Sequence, residues 1–118
     1  MLCVCSAGLL RSPTAAYVFS QEPYNYNTRA AGLDVGHALI PVDKVLIAWA
    51  DLIVCMNEEQ KERLTTLAVE YKLSTEAHPL PIYSFDIIDN FSYRDERLIQ
   101  LLQEQFKEIV ENDIHQSK

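Results

Sequence analysis

Cys5 and Arg11 bracket the five residues Ser6-Ala7-Gly8-Leu9-Leu10, and Ser12 and Pro13 follow directly. A thiol and a guanidinium at this spacing suit phosphate chemistry. Met1-Leu2-Cys3-Val4 reads as a short buried strand. After the loop a helix is expected, with Ser12 as N-cap and Pro13 at its first position, where a missing N–H costs nothing. Backbone N–H groups of such a loop converge on an anion, and the helix dipole adds positive potential. Arg11 supplies a planar fork able to hold two phosphate oxygens. A free thiol titrates near pH 8.5, but beside a helix N-terminus and a cation its pKa falls to roughly 3.5–7.5. Cys5 would then be a nucleophile aimed at phosphorus, with Ser6, Ala7, Gly8, Leu9, Leu10, Arg11 and Ser12 forming the cradle. A cysteine ending an apolar strand is ordinarily a core filler. The arginine, the glycine and the Ser-Pro helix start are what set Cys5 apart from Cys3 and from Cys55, both of which read as buried packing. Cys3, two residues from Cys5, leaves a redox pairing open.

The elements around this loop alternate. Residues 24–31 read as a second strand ending at Gly32, and residues 33–40 as a loop. Val42, Val45, Leu46 and Trp49 recur on one helical face starting near Pro41. Leu52-Ile53-Val54-Cys55-Met56 is an unbroken apolar run of the kind buried on both faces of a parallel sheet. Asn57 and Gln60 have capping-box spacing, and Leu64, Leu67, Ala68 and Tyr71 form the stripe of the helix that follows. Residues 80–85 read as a last strand. Leu98, Leu101, Leu102, Phe106, Ile109 and Val110 mark a long amphipathic helix, fraying from about Asn112. The pattern implies an α/β fold, a parallel four-stranded sheet with helices on both faces and a phosphate-binding loop between the first strand and the first helix. Ligands of such sheets bind outside the carboxyl ends of the strands, where Cys5 and residues 86–89 both belong.

The stretch from Val4 to Ala15 resembles the active-site loop of the low-molecular-weight protein tyrosine phosphatases, in particular their short bacterial and phage branch. The resemblance continues in order at Ala31-Gly32, at residues 49–56 and at residues 85–93. It implies hydrolysis of phosphotyrosine or another aryl phosphate monoester through a phosphocysteine, with no metal or cofactor. The leaving oxygen must be protonated as its bond breaks. The family's general acid is an Asp followed by one residue and an aromatic, which Asp89-Asn90-Phe91 matches, although larger members carry Pro where Asn90 stands. Asp86 competes for the role. Asp95 reads instead as the N-cap of the last helix. Larger members also have Gly-Asn at Ala7-Gly8, and many have a second loop cysteine at Leu10, so an in-loop disulfide is ruled out here. Phe91, Tyr93, Leu39 and Ile40 are candidate walls for an aryl ring. His37, His78 and His115 have no assigned role.

Other readings stay open. Residues 2–8 also resemble the phosphocysteine loop of the B subunit of some sugar phosphotransferase systems, which carry phosphate without hydrolysing it. Those proteins lack the arginine and the late acidic loop. Arsenate reduction on this scaffold wants further cysteines, and none lies beyond Cys55. A phosphotyrosine-binding module without turnover would use the same Cys5 and Arg11.

Composition sets outer bounds. A chain of 118 residues, 48% hydrophobic, is expected to form one domain spanning 1–118. A net charge of −7 argues against nucleic acid or an anionic membrane as partner and leaves phosphate attraction to local geometry. Three cysteines without metal-ligand spacing suit a reducing compartment. The apolar start is too short for a signal peptide and lacks a basic leader, so a cytoplasmic protein is expected, acting as a monomer on a phosphotyrosine protein or a small aryl phosphate.

Overall fold

In the computed structural model, residues 1–6, 11–34, 36, 38, 40–88 and 90–116 are described. Four short strands, β1 (Leu2–Cys5), β2 (Arg29–Gly32), β3 (Ile53–Cys55) and β4 (Ile82–Ser84), form one parallel sheet in the order β2-β1-β3-β4. From β1 the chain crosses to β2 on one side, then returns to β3 on the other. This reversal makes the carboxyl end of β1, where Cys5 lies, the topological switch point at which ligands of open α/β sheets bind.

Alternation along the strands divides the core. Cys3, Cys5 and Val54 face helix α1 (Arg11–Ser20) and the C-terminal helical run. Leu2, Val4, Ile53 and Cys55 face α2 (Lys44–Trp49) and α3 (Glu58–Glu70). Every residue of β1 and β3 is buried, as their unbroken apolar runs require. Asn57 caps α3, its Oδ1 accepting from Gln60 N at 2.8 Å, and Asp43 caps α2 in the same way through Leu46 N.

Four local expectations change. The second strand is confined to Arg29–Gly32, because Tyr24 and Tyr26 fold back to set their rings against Phe106 at 4.9 and 6.0 Å. The second helix starts at Lys44 behind its Asp43 cap, and that phase buries Leu46 and Ile47 while Val45 is 70% exposed. The first helix already includes Arg11 and Ser12, so Ser12 is no N-cap, and its hydroxyl donates to the Ala31 carbonyl instead. The last helix is α4 (Glu96–Gln105), capped by Asp95, then a π-helical stretch (Phe106–Glu111), then α5 (Asn112–Gln116). Its buried residues Leu98, Leu102, Phe106 and Val110 lie four apart. On a 3.6-residue helix each such step drifts by about 40°, and the wider π turns take up that drift so that the stripe stays on the sheet. No described helix is long and apolar enough to cross a membrane.

Candidate active site

Cys5 ends β1, is buried at 3% exposure, and its Sγ–H donates to Ser12 Oγ at 3.2 Å. Ser12 in turn donates to the Ala31 carbonyl at 3.3 Å, on the neighbouring strand. The loop leaves the sheet under backbone control: Leu33 N donates to Cys5 O at 2.9 Å and Asp34 N to Ser6 O at 2.7 Å, prolonging the β1–β2 pairing past both strands. Where the loop ends, Arg11 opens α1 with its side chain inside the protein, at 4% exposure. Its Nη1 donates to the Ile87 carbonyl at 2.7 Å. The guanidinium is therefore oriented by the segment after β4, the same segment that carries the sequence-predicted acid.

Residues 85–87 are firmly seated. Phe85 N donates to Cys55 O at 2.8 Å and Ile87 N to Met56 O at 3.1 Å, so pairing continues beyond β4. The Gln105 side-chain amide brackets Asp86, accepting from its N–H at 2.6 Å and donating to its carbonyl at 3.0 Å. It is the backbone of Asp86 that anchors the segment, while its side chain is exposed. Asp95 accepts from Arg97 through both side chain and backbone, which holds its carboxyl below the usual range. That is the wrong direction for a group that must arrive protonated.

Of the candidate walls, Phe91 is half-buried against the core with the Arg97 guanidinium 5.7 Å from its ring centre. Tyr93 is 48% exposed and accepts a hydrogen bond from Arg94 Nε at 2.9 Å. Arg94 takes a left-handed backbone, φ 59°, held by its N–H donating to Thr14 Oγ1 at 2.9 Å and by stacking on Tyr17 at 3.7 Å. These contacts tie Arg94 to α1. Ile40 is exposed, and its carbonyl accepts from Gly32 N at 3.0 Å. Ala7, Gly8, Leu9, Leu10, Leu39, Asp89 and His37 lie outside the described residues.

The structure adds one residue to the site. Gln60 is 3% exposed, and its Nε2 donates to Ser6 Oγ at 3.1 Å. Its capping-box spacing marks only a helix start; the usable signal is its place in the first turn of the helix that follows the strand beside β1. The other two cysteines are core groups. Burial pushes both Cys3 and Cys55 up to about 12, and Cys55 faces away from Cys5 across the sheet.

No family model matches the sequence, and no curated protein does either. Solved structures do match over nearly the whole chain. One described as a protein tyrosine phosphatase superposes with a TM-score of 0.63 at 21% identity, covering 91% of this chain and 90% of that one. Wzb of Vibrio vulnificus, in complex with benzylphosphonate, gives 0.61 at 19% identity over 86% and 88%. A YwlE arginine phosphatase from Geobacillus stearothermophilus gives 0.59 at 20% identity over 87% and 82%. The chain has the fold of the low-molecular-weight protein tyrosine phosphatases, which its cysteine loop resembles in sequence.

Proposed function

We propose that this protein is a cysteine-dependent phosphatase acting on phosphotyrosine or another aryl phosphate monoester through a phosphocysteine. The observation that carries this reading is the placement of Cys5 and Arg11: both are buried, at the two ends of one loop, at the carboxyl end of the central strand where the sheet reverses. A core cysteine needs no buried guanidinium at the end of its own loop.

In the first step the Cys5 thiolate attacks phosphorus, forming the P–S bond as the P–O bond to the leaving group breaks. Asp89 gives its proton to the departing oxygen. In the second step Asp89, now a carboxylate, takes a proton from water as that water attacks phosphorus. The P–S bond breaks, phosphate leaves and the thiolate returns. Arg11 and the loop N–H groups hold the non-bridging oxygens. Ser12 serves the sulfur: by turning its hydrogen from the Ala31 carbonyl to the thiolate, it stabilises the charge with a single hydroxyl rotation.

The deciding experiment is hydrolysis of para-nitrophenyl phosphate from mildly acidic to neutral pH by the wild type, Cys5→Ser and Asp89→Asn. Turnover is expected in the wild type, none in Cys5→Ser, and a loss of about 10²–10⁴-fold in Asp89→Asn. An Asp89→Asn variant with full turnover would remove Asp89 from the mechanism. A reduced wild type that binds phosphate without turnover would instead favour a phosphate carrier or a phosphotyrosine-binding module. Phosphoarginine belongs in the same assay, since one similar structure is an arginine phosphatase.

Peroxide is expected to inactivate the enzyme without rescue by Cys3. Residues two apart on a strand have Cα atoms about 6.6 Å apart, at the far limit for a disulfide. Burial also raises the Cys3 thiol to about 12, leaving it almost no thiolate with which to resolve a sulfenic acid. Mass mapping of the oxidised protein should find over-oxidised Cys5, and a Cys3–Cys5 disulfide would contradict this.

A further inference from the structure

Four consecutive hydrogen bonds run from the start of the phosphate loop to its end through one buried amide. Gln60 Nε2 donates to Ser6 Oγ at 3.1 Å, and Gln60 Oε1 accepts from Met56 N at 2.7 Å. Met56 O accepts from Ile87 N at 3.1 Å, and Ile87 O accepts from Arg11 Nη1 at 2.7 Å. We propose that Gln60 is a positioning residue for the phosphate-binding loop, setting the Ser6 hydroxyl and holding it in one frame with the Arg11 guanidinium. The proposal rests on the phosphatase reading above and adds a residue which that reading does not use.

The local chemistry favours this role over plain helix capping. In a capping box the side chain at the third helical position returns to the N–H of the cap residue, here Asn57. Gln60 reaches one residue further, to Met56, and its other end leaves the helix altogether. An exposed glutamate would cap equally well, whereas a buried amide must have both ends satisfied. The amide can sit only one way round. The Met56 N–H is solely a donor, so the oxygen must face it and the NH2 group must face Ser6. The Ser6 oxygen therefore accepts, and its own hydrogen is directed away from Gln60. We place that hydrogen on the loop side, where a bound phosphate presents oxygens.

The test compares the wild type with Gln60→Glu, Gln60→Leu, Ser6→Ala and the double variant Ser6→Ala/Gln60→Glu. The readouts are kcat/KM for para-nitrophenyl phosphate, the affinity for inorganic phosphate and the thermal midpoint. Gln60→Glu keeps the acceptor for Met56 but has no N–H for Ser6, and it draws the serine hydrogen to itself. We expect it to lower kcat/KM and phosphate affinity about 10–100-fold while melting closer to the wild type than Gln60→Leu. In the Ser6→Ala background the same change is expected to cost less than about twofold, because its target is gone. Wild-type kinetics and phosphate affinity in Gln60→Glu overturn the proposal, as does an equal loss with and without the Ser6 hydroxyl. Should both single Gln60 variants fail to fold, Ser6→Ala decides alone: a wild-type phosphate affinity overturns the proposal, and a loss of the expected size supports it. Phosphate affinity is independent of turnover, so a protein that binds phosphate without hydrolysis defeats the phosphatase reading and leaves the Gln60 comparison valid.

Discussion

Arg11→Lys is expected to lower kcat/KM for an aryl phosphate by about 10³-fold, although the charge is kept. Removing one donor to a developing oxyanion costs about 10²–10³-fold, and arginines that stabilise a transferring phosphoryl group contribute about 10³–10⁵. Lysine fails here for a geometric reason. The guanidinium has five N–H donors in one plane, so one edge can be fixed by the Ile87 carbonyl while others meet phosphate oxygens. An ammonium is a single centre. At 4% exposure it must either take the Ile87 carbonyl and sit away from the anion or leave that carbonyl without its partner. Arg11→Ala should be no better, and guanidinium added to that variant should restore part of the rate. Steady-state kinetics with phosphate inhibition measures both effects: rate and phosphate affinity should fall together. A loss smaller than tenfold in Arg11→Lys would mean that the side chain serves mainly to anchor residues 85–88.

The reach of that anchor explains which parts of the molecule are legible in the sequence. β1 and β3 are visible as apolar runs because both of their faces are buried, and α3 is visible from its Asn57 cap and its stripe. Cys5 and Arg11 stand out because the phosphate chemistry proposed for them requires such a spacing. Contacts made across the fold are a different matter. The Arg11–Ile87 bond spans 76 residues and uses a backbone carbonyl, which leaves no trace in residue type. Gln60 is visible only in its local role, since the same Asn57-x-x-Gln60 pattern serves both a cap and a link to Ser6. Ser12 differs in the opposite sense, its local pattern pointing to a role it does not take. A serine before a proline is good capping chemistry, but Ser12 already lies within α1 and its hydroxyl turns to Cys5 and Ala31. At the ends of elements, tertiary partners outcompete local preference. Tyr24 and Tyr26 have strand-forming side chains, yet the Phe106 ring takes both, and β2 is short as a result.

Phe19→Ala is expected to destabilise the protein by about 3–5 kcal/mol, a large share of the roughly 5–15 kcal/mol typical of a domain. Phe19 is fully buried on α1, and its ring meets those of Phe106 at 4.9 Å, Tyr24 at 5.1 Å and Phe85 at 6.3 Å. It thus joins the helix that opens with Arg11 to the π-helical stretch and to the residue just past β4. Truncation leaves a cavity among large rings that cannot collapse without shifting α1. Phe19→Leu keeps most of the apolar bulk and loses the ring–ring contacts, each worth about 0.5–1.5 kcal/mol, so it should fall between the wild type and the alanine variant. Val45→Ala is the control. That side chain is 70% exposed, and its loss should stay within about 0.5 kcal/mol. Urea unfolding followed by tryptophan fluorescence gives all three values. Activity measured well below the unfolding midpoint then separates two roles for the cluster. If Phe19→Ala retains wild-type kcat/KM where it is folded, the aromatic cluster supplies stability alone. If kcat/KM falls with stability, the cluster also sets the angle of α1, and through it the reach of Arg11 into the loop.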